Sequence, residues 1–167
     1  MPRLLDSNGF PFESHITVHT REGTSLENVQ SWVPSNPLRV KGLLDKFRPP
    51  ASTYLGSESP VYNCHGLTFA SRRTAVGFKD QHLLTTLKDD GYTEVAEGKA
   101  QCGDVIFYLD GDGNIEHSGI VVQVLDFGDY RVWSKWGYGP EMDHRLAACP
   151  YEAQYRKFYR LTKWTPL

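Results

Sequence analysis

The chain has no apolar run near the roughly 18 residues that a membrane-spanning helix needs. Nor does it open on the roughly 7–15 continuous apolar residues of a secretory signal. Its amino terminus, MPRLLDSNGFPFES, offers two adjacent leucines and then turns polar. The expectation is a chain without a membrane span, cytoplasmic at synthesis or exported by a route that reads no cleavable signal. Basic tracts and basic–aromatic repeats are missing and the formal net charge is −2, so nothing asks for a nucleic-acid partner. Cysteine is scarce: Cys64, Cys102 and Cys149 are the only three, and no C-x-x-C pair exists. That excludes neither a reactive thiol nor a buried one, but it argues against a disulfide framework and a structural zinc site. No metal or cofactor is expected.

What is present suits one globular domain. The 167 residues are 40% hydrophobic and 23% charged, enough for a core without staples. An aromatic content of 13% argues against disorder. We read residues 1–167 as one domain, with 1–53 as an amino-terminal extension and the chemistry-bearing motifs in 54–136. In the extension, SHITVHT alternates weakly as a strand does, and TSLENVQSWV has the polar start of a short capped helix stopped by Pro34. LRVKGLLDKF is a short segment between prolines.

Downstream the patterns sharpen. CHGLTFASRRTAV has no Pro and runs to Gly77, with Asn63 before it as a favourable N-cap, so a helix is expected with Cys64 in its first turn. KDQHLLTTLKDDG places Leu83, Leu84 and Leu87 on one stripe and ends on Gly91, the residue that best stops a helix. GDVIFYL, the tight turn DGDGN and HSGIVVQVL form a hairpin pattern, followed by a second turn at FGDY and the strand RVWSKWG. KFYRLTKW alternates and would close the sheet. Helices first and antiparallel strands after make the fold class α+β. DGDGNIE resembles a calcium loop, but Ile115 and Val121 stand where the sharp-turn Gly and the bidentate Glu belong, so a turn is expected. Alternation puts Trp133 in the core and Trp136 at a rim.

A thiol hydrolase needs a sulfur anion, a stabilising environment for it and a base to take its proton. Cys64 at a helix start supplies the first two, because the unpaired N–H groups and peptide dipoles there favour negative charge. His117, at the start of a strand just past a turn and beside the small Ser118 and Gly119, is the candidate base.

These segments resemble the NlpC-type cysteine peptidases and their relatives the CHAP amidases. YLGSESPVYNCHGL at 54–67 is similar to that family's nucleophile segment, a Tyr and Gly, a Pro-containing loop and then D-C-S-G-L, with Asn63 for Asp and His65 for Ser. GDVIFYL resembles its G-D-L-V-F-F strand and EHSGIVVQV its H-V-G-I-Y-L strand. The three pieces fall in family order over half of the chain. The resemblance implies a papain-like core, a Cys-bearing helix packed on an antiparallel sheet. It also implies an amide bond cleaved through a thioester, with a peptide or peptidoglycan substrate. Cys64 would be the nucleophile, His117 the base and Tyr54 an oxyanion donor beside the N–H groups of Cys64 and His65. Gly66 would let the helix approach the sheet. The family's orienting third residue falls near Ser134, with Lys135 a poor orienter and Asp143 or His144 as alternatives from further on. His65 departs from the family and is expected to face solvent. Two other readings stay open: an intracellular protein deamidase or isopeptidase, and an inactive binding module on the same fold.

Overall fold

The computed structural model describes residues 13–31, 36–46, 52–56, 58–151 and 155–162. Among these residues three α-helices and ten strands follow one another. They are β1 (Glu13–Ser14), β2 (Asn28–Ser31), α1 (Pro37–Lys46), β3 (Ser52–Gly56), α2 (Cys64–Phe69), β4 (Ala75–Val76) and α3 (Asp80–Asp90), then β5 (Tyr92–Val95), β6 (Val105–Leu109), β7 (Ile115–Val124), β8 (Tyr130–Lys135), β9 (Glu141–Arg145) and β10 (Tyr155–Leu161). Seven strands make one antiparallel sheet in the order β3-β9-β8-β7-β6-β10-β5, and β1-β2-β4 form a small second sheet. The fold is α+β, as the order of patterns predicts. No helix among the described residues is long and apolar enough to cross a membrane.

Strand β6 explains the main layers. All five of its residues are buried, so its VIFYL run feeds both faces of the sheet and shows no polar alternation. Ile106 and Tyr108 join Val121, Tyr130, Val132, Leu146 and Phe158 on one face. Val105, Phe107 and Leu109 join Leu83, Leu87 and Tyr159 on the other, under α3. The leucine stripe of α3 is what the sequence predicts, except that Leu84 is 46% exposed. Gly91 ends that helix in the left-handed region, at φ 81. The DGDGN turn is closed by Asp110, whose carboxylate accepts the backbone N–H groups of Asp112 and Asn114. β10 does more than close the sheet: it lies between β6 and β5. Trp164 at the end of that motif lies outside the described residues.

Two expected helices differ. TSLENVQSWV does not start a helix, because Asn28 to Ser31 form β2. The buried Asn28 side chain donates to the carbonyls of Ile16 and Leu26 and accepts from the Ile16 N–H and the Thr74 hydroxyl. Those long-range bonds outweigh a weak local helix signal. In SHITVHT the observed pairing is slight, Ser14 in β1 and a single bridge from His19 to Ser25. The Cys-bearing helix is also shorter than its sequence suggests, ending at Phe69. Ser71 and Arg72 then take left-handed backbone at φ 49 and 64. Both Ala70 and Arg72 donate their N–H to the Gly66 carbonyl. The side chain of Arg72 holds the reversal by pairing with Glu141 at 2.7 Å and lying 4.5 Å over the Trp133 ring.

Gly66 sits where α2 meets β4. A Cβ there would lie 2.0 Å from the backbone carbonyl oxygen of Thr74, a contact no rotamer change relieves. Gly66→Ala should therefore cost about 3 kcal/mol or more, the upper end for overpacking, measured as a fall in the urea midpoint. A midpoint within error of wild type would show that the helix floats free of β4.

Candidate active site

Asn63 caps α2: its side-chain oxygen accepts the Gly66 N–H at 2.8 Å, and its amide nitrogen donates to the Val76 carbonyl at 2.9 Å. The cap ties the helix mouth to β4 and fixes Cys64 at its first position. Cys64 is 6% exposed. β7 pairs with β8 only from Gly119 onward, and the Ser118 N–H just before that pairing is one of the backbone groups that favour a thiolate at Cys64. Burial pushes the thiol up to about 11, against the N–H groups of Ser118, His65 and Cys64 itself and the charge of Lys135, which all favour the thiolate. The resting residue is a protonated thiol. Cys102 is the exposed thiol of the three, so general alkylation in the resting state should reach it first. Fast labelling of Cys64, the simple expectation for an activated nucleophile, does not fit its burial.

Strand β7 sends neighbouring side chains to opposite faces. Ser118 points at α2, with its hydroxyl 2.8 Å from His65 Nδ1 and 3.0 Å from the Thr68 hydroxyl. His117 pairs across the sheet with Tyr108 and lies on the other face, where the Tyr151 ring stacks on it at 4.2 Å and 11°. The imidazole is fully buried, and neither ring nitrogen has a hydrogen-bond partner among the described residues. Burial, with His144 and His65 nearby, pushes its pKa well below the ordinary histidine value. The structure thus brings the Cys64 sulfur to the residue after His117 without a hydrogen bond between the two side chains. The charge of an ionised Cys64 is felt by Cys149 and by Tyr151, the ring stacked on His117.

Behind His117, on the same face, Ser134 Oγ lies 2.8 Å from His144 Nε2, and His144 Nδ1 donates to the Arg145 carbonyl at 3.0 Å. With Nδ1 carrying the proton, Nε2 accepts from the serine, whose lone pairs remain open to a donor. Ser134 and His144, two alternatives for one role in the sequence, are therefore linked. Asp143 instead pairs with Arg131 at 2.7 Å. Tyr54 lies on the outer strand β3, paired with Met142 and 50% exposed. No hydrogen bond among the described residues joins it to Cys64.

His65 is a correction. It is 5% exposed, not solvent-facing; it bonds Ser118 and meets the Phe107 ring edge-on. Burial lowers its pKa to about 4. A short helix pressed against β7 leaves no solvent face at its second residue. The tryptophans are also exchanged: Trp136 is buried, while Trp133 is only partly covered and donates its indole N–H to Glu141 at 2.9 Å.

Glu141 is the residue that sequence reasoning missed. Almost fully buried, it accepts from the Tyr62 hydroxyl at 2.5 Å and from Arg72 and Trp133. Burial alone would raise its pKa, but Arg72 and Tyr62 outweigh that and hold the carboxyl below its ordinary range. This network binds together the loop before Cys64, the turn after α2 and the β8–β9 hairpin. The signal was the turn-rich GYGP between two strand patterns, which sets Lys135 opposite Glu141. Among the described residues, no group of three or more His, Cys, Asp or Glu side chains is arranged to hold a metal ion.

No protein-family model matches this chain, and no curated protein or solved structure matches it.

Proposed function

We propose that the protein is a cysteine hydrolase that cleaves an amide bond through a thioester on Cys64. One observation carries the reading: a buried imidazole with both nitrogens unpartnered among the described residues immediately precedes Ser118, whose N–H favours a thiolate at the buried Cys64. An orphaned buried polar group costs free energy, and a catalytic role is one reason for a fold to keep it. As a base, His117 needs a nitrogen free to take the thiol proton, and it has two. The resemblance of the segments at 54–67, 103–109 and 116–124 to the NlpC-type peptidases supports a papain-like core and a peptide of the bacterial cell wall as substrate.

In this reading the His117 ring, which rests stacked on Tyr151 on the face of β7 away from α2, turns past Ser118 to take the Cys64 proton as the sulfur attacks the carbonyl carbon. The C–N bond breaks as the imidazolium returns the proton to the leaving amine. Water, deprotonated by the same imidazole, then hydrolyses the thioester. Free N–H groups at the start of α2 would take the oxyanion. Ser134, held by His144, would receive a hydrogen bond from the imidazolium.

The test is digestion of purified peptidoglycan and of a panel of folded proteins, with new amines and released ammonia followed by mass spectrometry. New amine ends in the peptidoglycan with wild type and not with Cys64→Ala are expected. Ammonia released from folded proteins instead would select the deamidase. No Cys64-dependent product from either substrate would leave the inactive binding module.

A further inference from the structure

Lys135 has no exposed surface, a rare condition for an ammonium because removing it from water costs several kcal/mol. Strand β8 points Ser134 toward His144 and, by alternation, Lys135 toward the α2 face. There its Nζ lies 4.5 Å over the Tyr62 ring and donates to the Gly139 carbonyl at 2.5 Å. Tyr62 is itself fastened by its hydroxyl to Glu141, and two residues later the chain reaches Cys64. The ammonium is thus held on one side by the turn between β8 and β9 and on the other by the segment that delivers the nucleophile. The groups that act on its charge are Glu141 on β9, Glu58 in the loop before Tyr62 and Cys64 on α2. Those that act on the sulfur are the N–H groups of Ser118 and His65 and this same ammonium.

We propose that Lys135 is a positioning residue for charge: its buried ammonium is the standing counter-ion for the anion that forms at Cys64. The inference rests on Cys64 being the nucleophile. In a thiol enzyme of the usual kind, the protonated imidazole supplies that counter-charge at rest. His117 is buried, with His144 and His65 near enough to disfavour its charge, and is neutral at rest, so the role passes to a cation already in place. Burial lowers Lys135 to about 8, with Glu141, Glu58 and Cys64 resisting, which leaves it charged at neutral pH.

The experiment is the rate of Cys64 alkylation by iodoacetamide in the intact protein, resolved by peptide mass spectrometry from about pH 6 to about pH 9.5. With Lys135 as counter-ion, the logarithm of the wild-type rate climbs with pH, then levels off for about one unit above the lysine midpoint of about 8, because each further thiolate loses its partner. Lys135→Met should slow labelling about ten-fold near neutrality and remove the bend. Lys135→Arg, whose charge does not titrate in this range, should keep the neutral rate and also remove the bend. The exposed Cys102 serves as internal control in every sample.

A wild-type profile that climbs without a bend overturns the proposal and leaves Lys135 as a cap on the β8–β9 turn. That result needs no variant, so misfolding of Lys135→Met does not blunt the test. A bend in a protein that hydrolyses nothing keeps Lys135 and removes the hydrolase. Cys64-dependent hydrolysis without a bend removes Lys135 alone.

Discussion

Cys64→Ala and His117→Ala should each lower amide hydrolysis by at least about three orders of magnitude, and the double variant should be no slower than the worse single one. The reason lies in the protonation states of the resting site. A thiol near 11 is ionised in only about one molecule in ten thousand at neutral pH. Attack by the thiol itself is negligible, so a base must remove the proton as the sulfur reacts. His117 starts neutral and with both nitrogens open, so its contribution exists only when the thiol is present. Neither residue retains value without the other. Because burial holds the imidazole well below the ordinary histidine value, its protonation should not impose the acid limb that a histidine of ordinary pKa would show near about pH 6.5. Circular dichroism of each variant separates lost chemistry from lost fold. Multiplying losses in the double variant, or full activity without His117, would remove the imidazole from the mechanism.

Much of this arrangement was legible before any coordinates. The hairpin at 103–125 was readable because its turn carries its own chemistry, with Asp110 folding back on the amides of Asp112 and Asn114. The cap at Asn63 and the stop at Gly91 were readable for the same reason: each is a local bond or a local backbone requirement. What could not be read depends on partners far along the chain. The end of α2 is set by Arg72 reaching Glu141, 69 residues away. β2 is set by Asn28 reaching Thr74, 46 residues away. The burial of His65 follows from Ser118, 53 residues on, and no periodicity in a six-residue helix encodes it. At the candidate site the same division holds. Cys64 and His117 stand out by type and local setting. The links from Tyr62 to Glu141 and from Ser134 to His144 emerge only when the strands are set side by side. The Cys-bearing helix against an antiparallel sheet was expected and is present. The finer papain-like topology rests on the motif resemblance.

The same buried histidines set a limit on the acid side. In the unfolded chain each titrates near 6.5, whereas His65 and His144 in the fold resist protonation until about 4, because burial penalises the charged ring. His117 is pushed further in the same direction. For a base whose folded pKa is depressed, the unfolded state binds the proton first. Stability is therefore complete above about pH 6.5 and is lost as pH falls toward 4. Each of the two rings valued at about 4 contributes about 3 kcal/mol over that interval, and their sum is comparable with the whole stability of a domain this size, about 5–15 kcal/mol. Glu141, held below its ordinary range by Arg72 and Tyr62, adds its loss only below about pH 4. Urea unfolding across this range should show a steep fall in midpoint from about pH 6 downward, before most carboxylates titrate. Replacing His144 by Gln should flatten the fall, because a carboxamide keeps a bond to Ser134 and takes no proton. A midpoint that held constant to pH 4.5, about two units below the unfolded-histidine value, would mean that water or movement reaches these rings in the folded state. The closed site would then be open in solution.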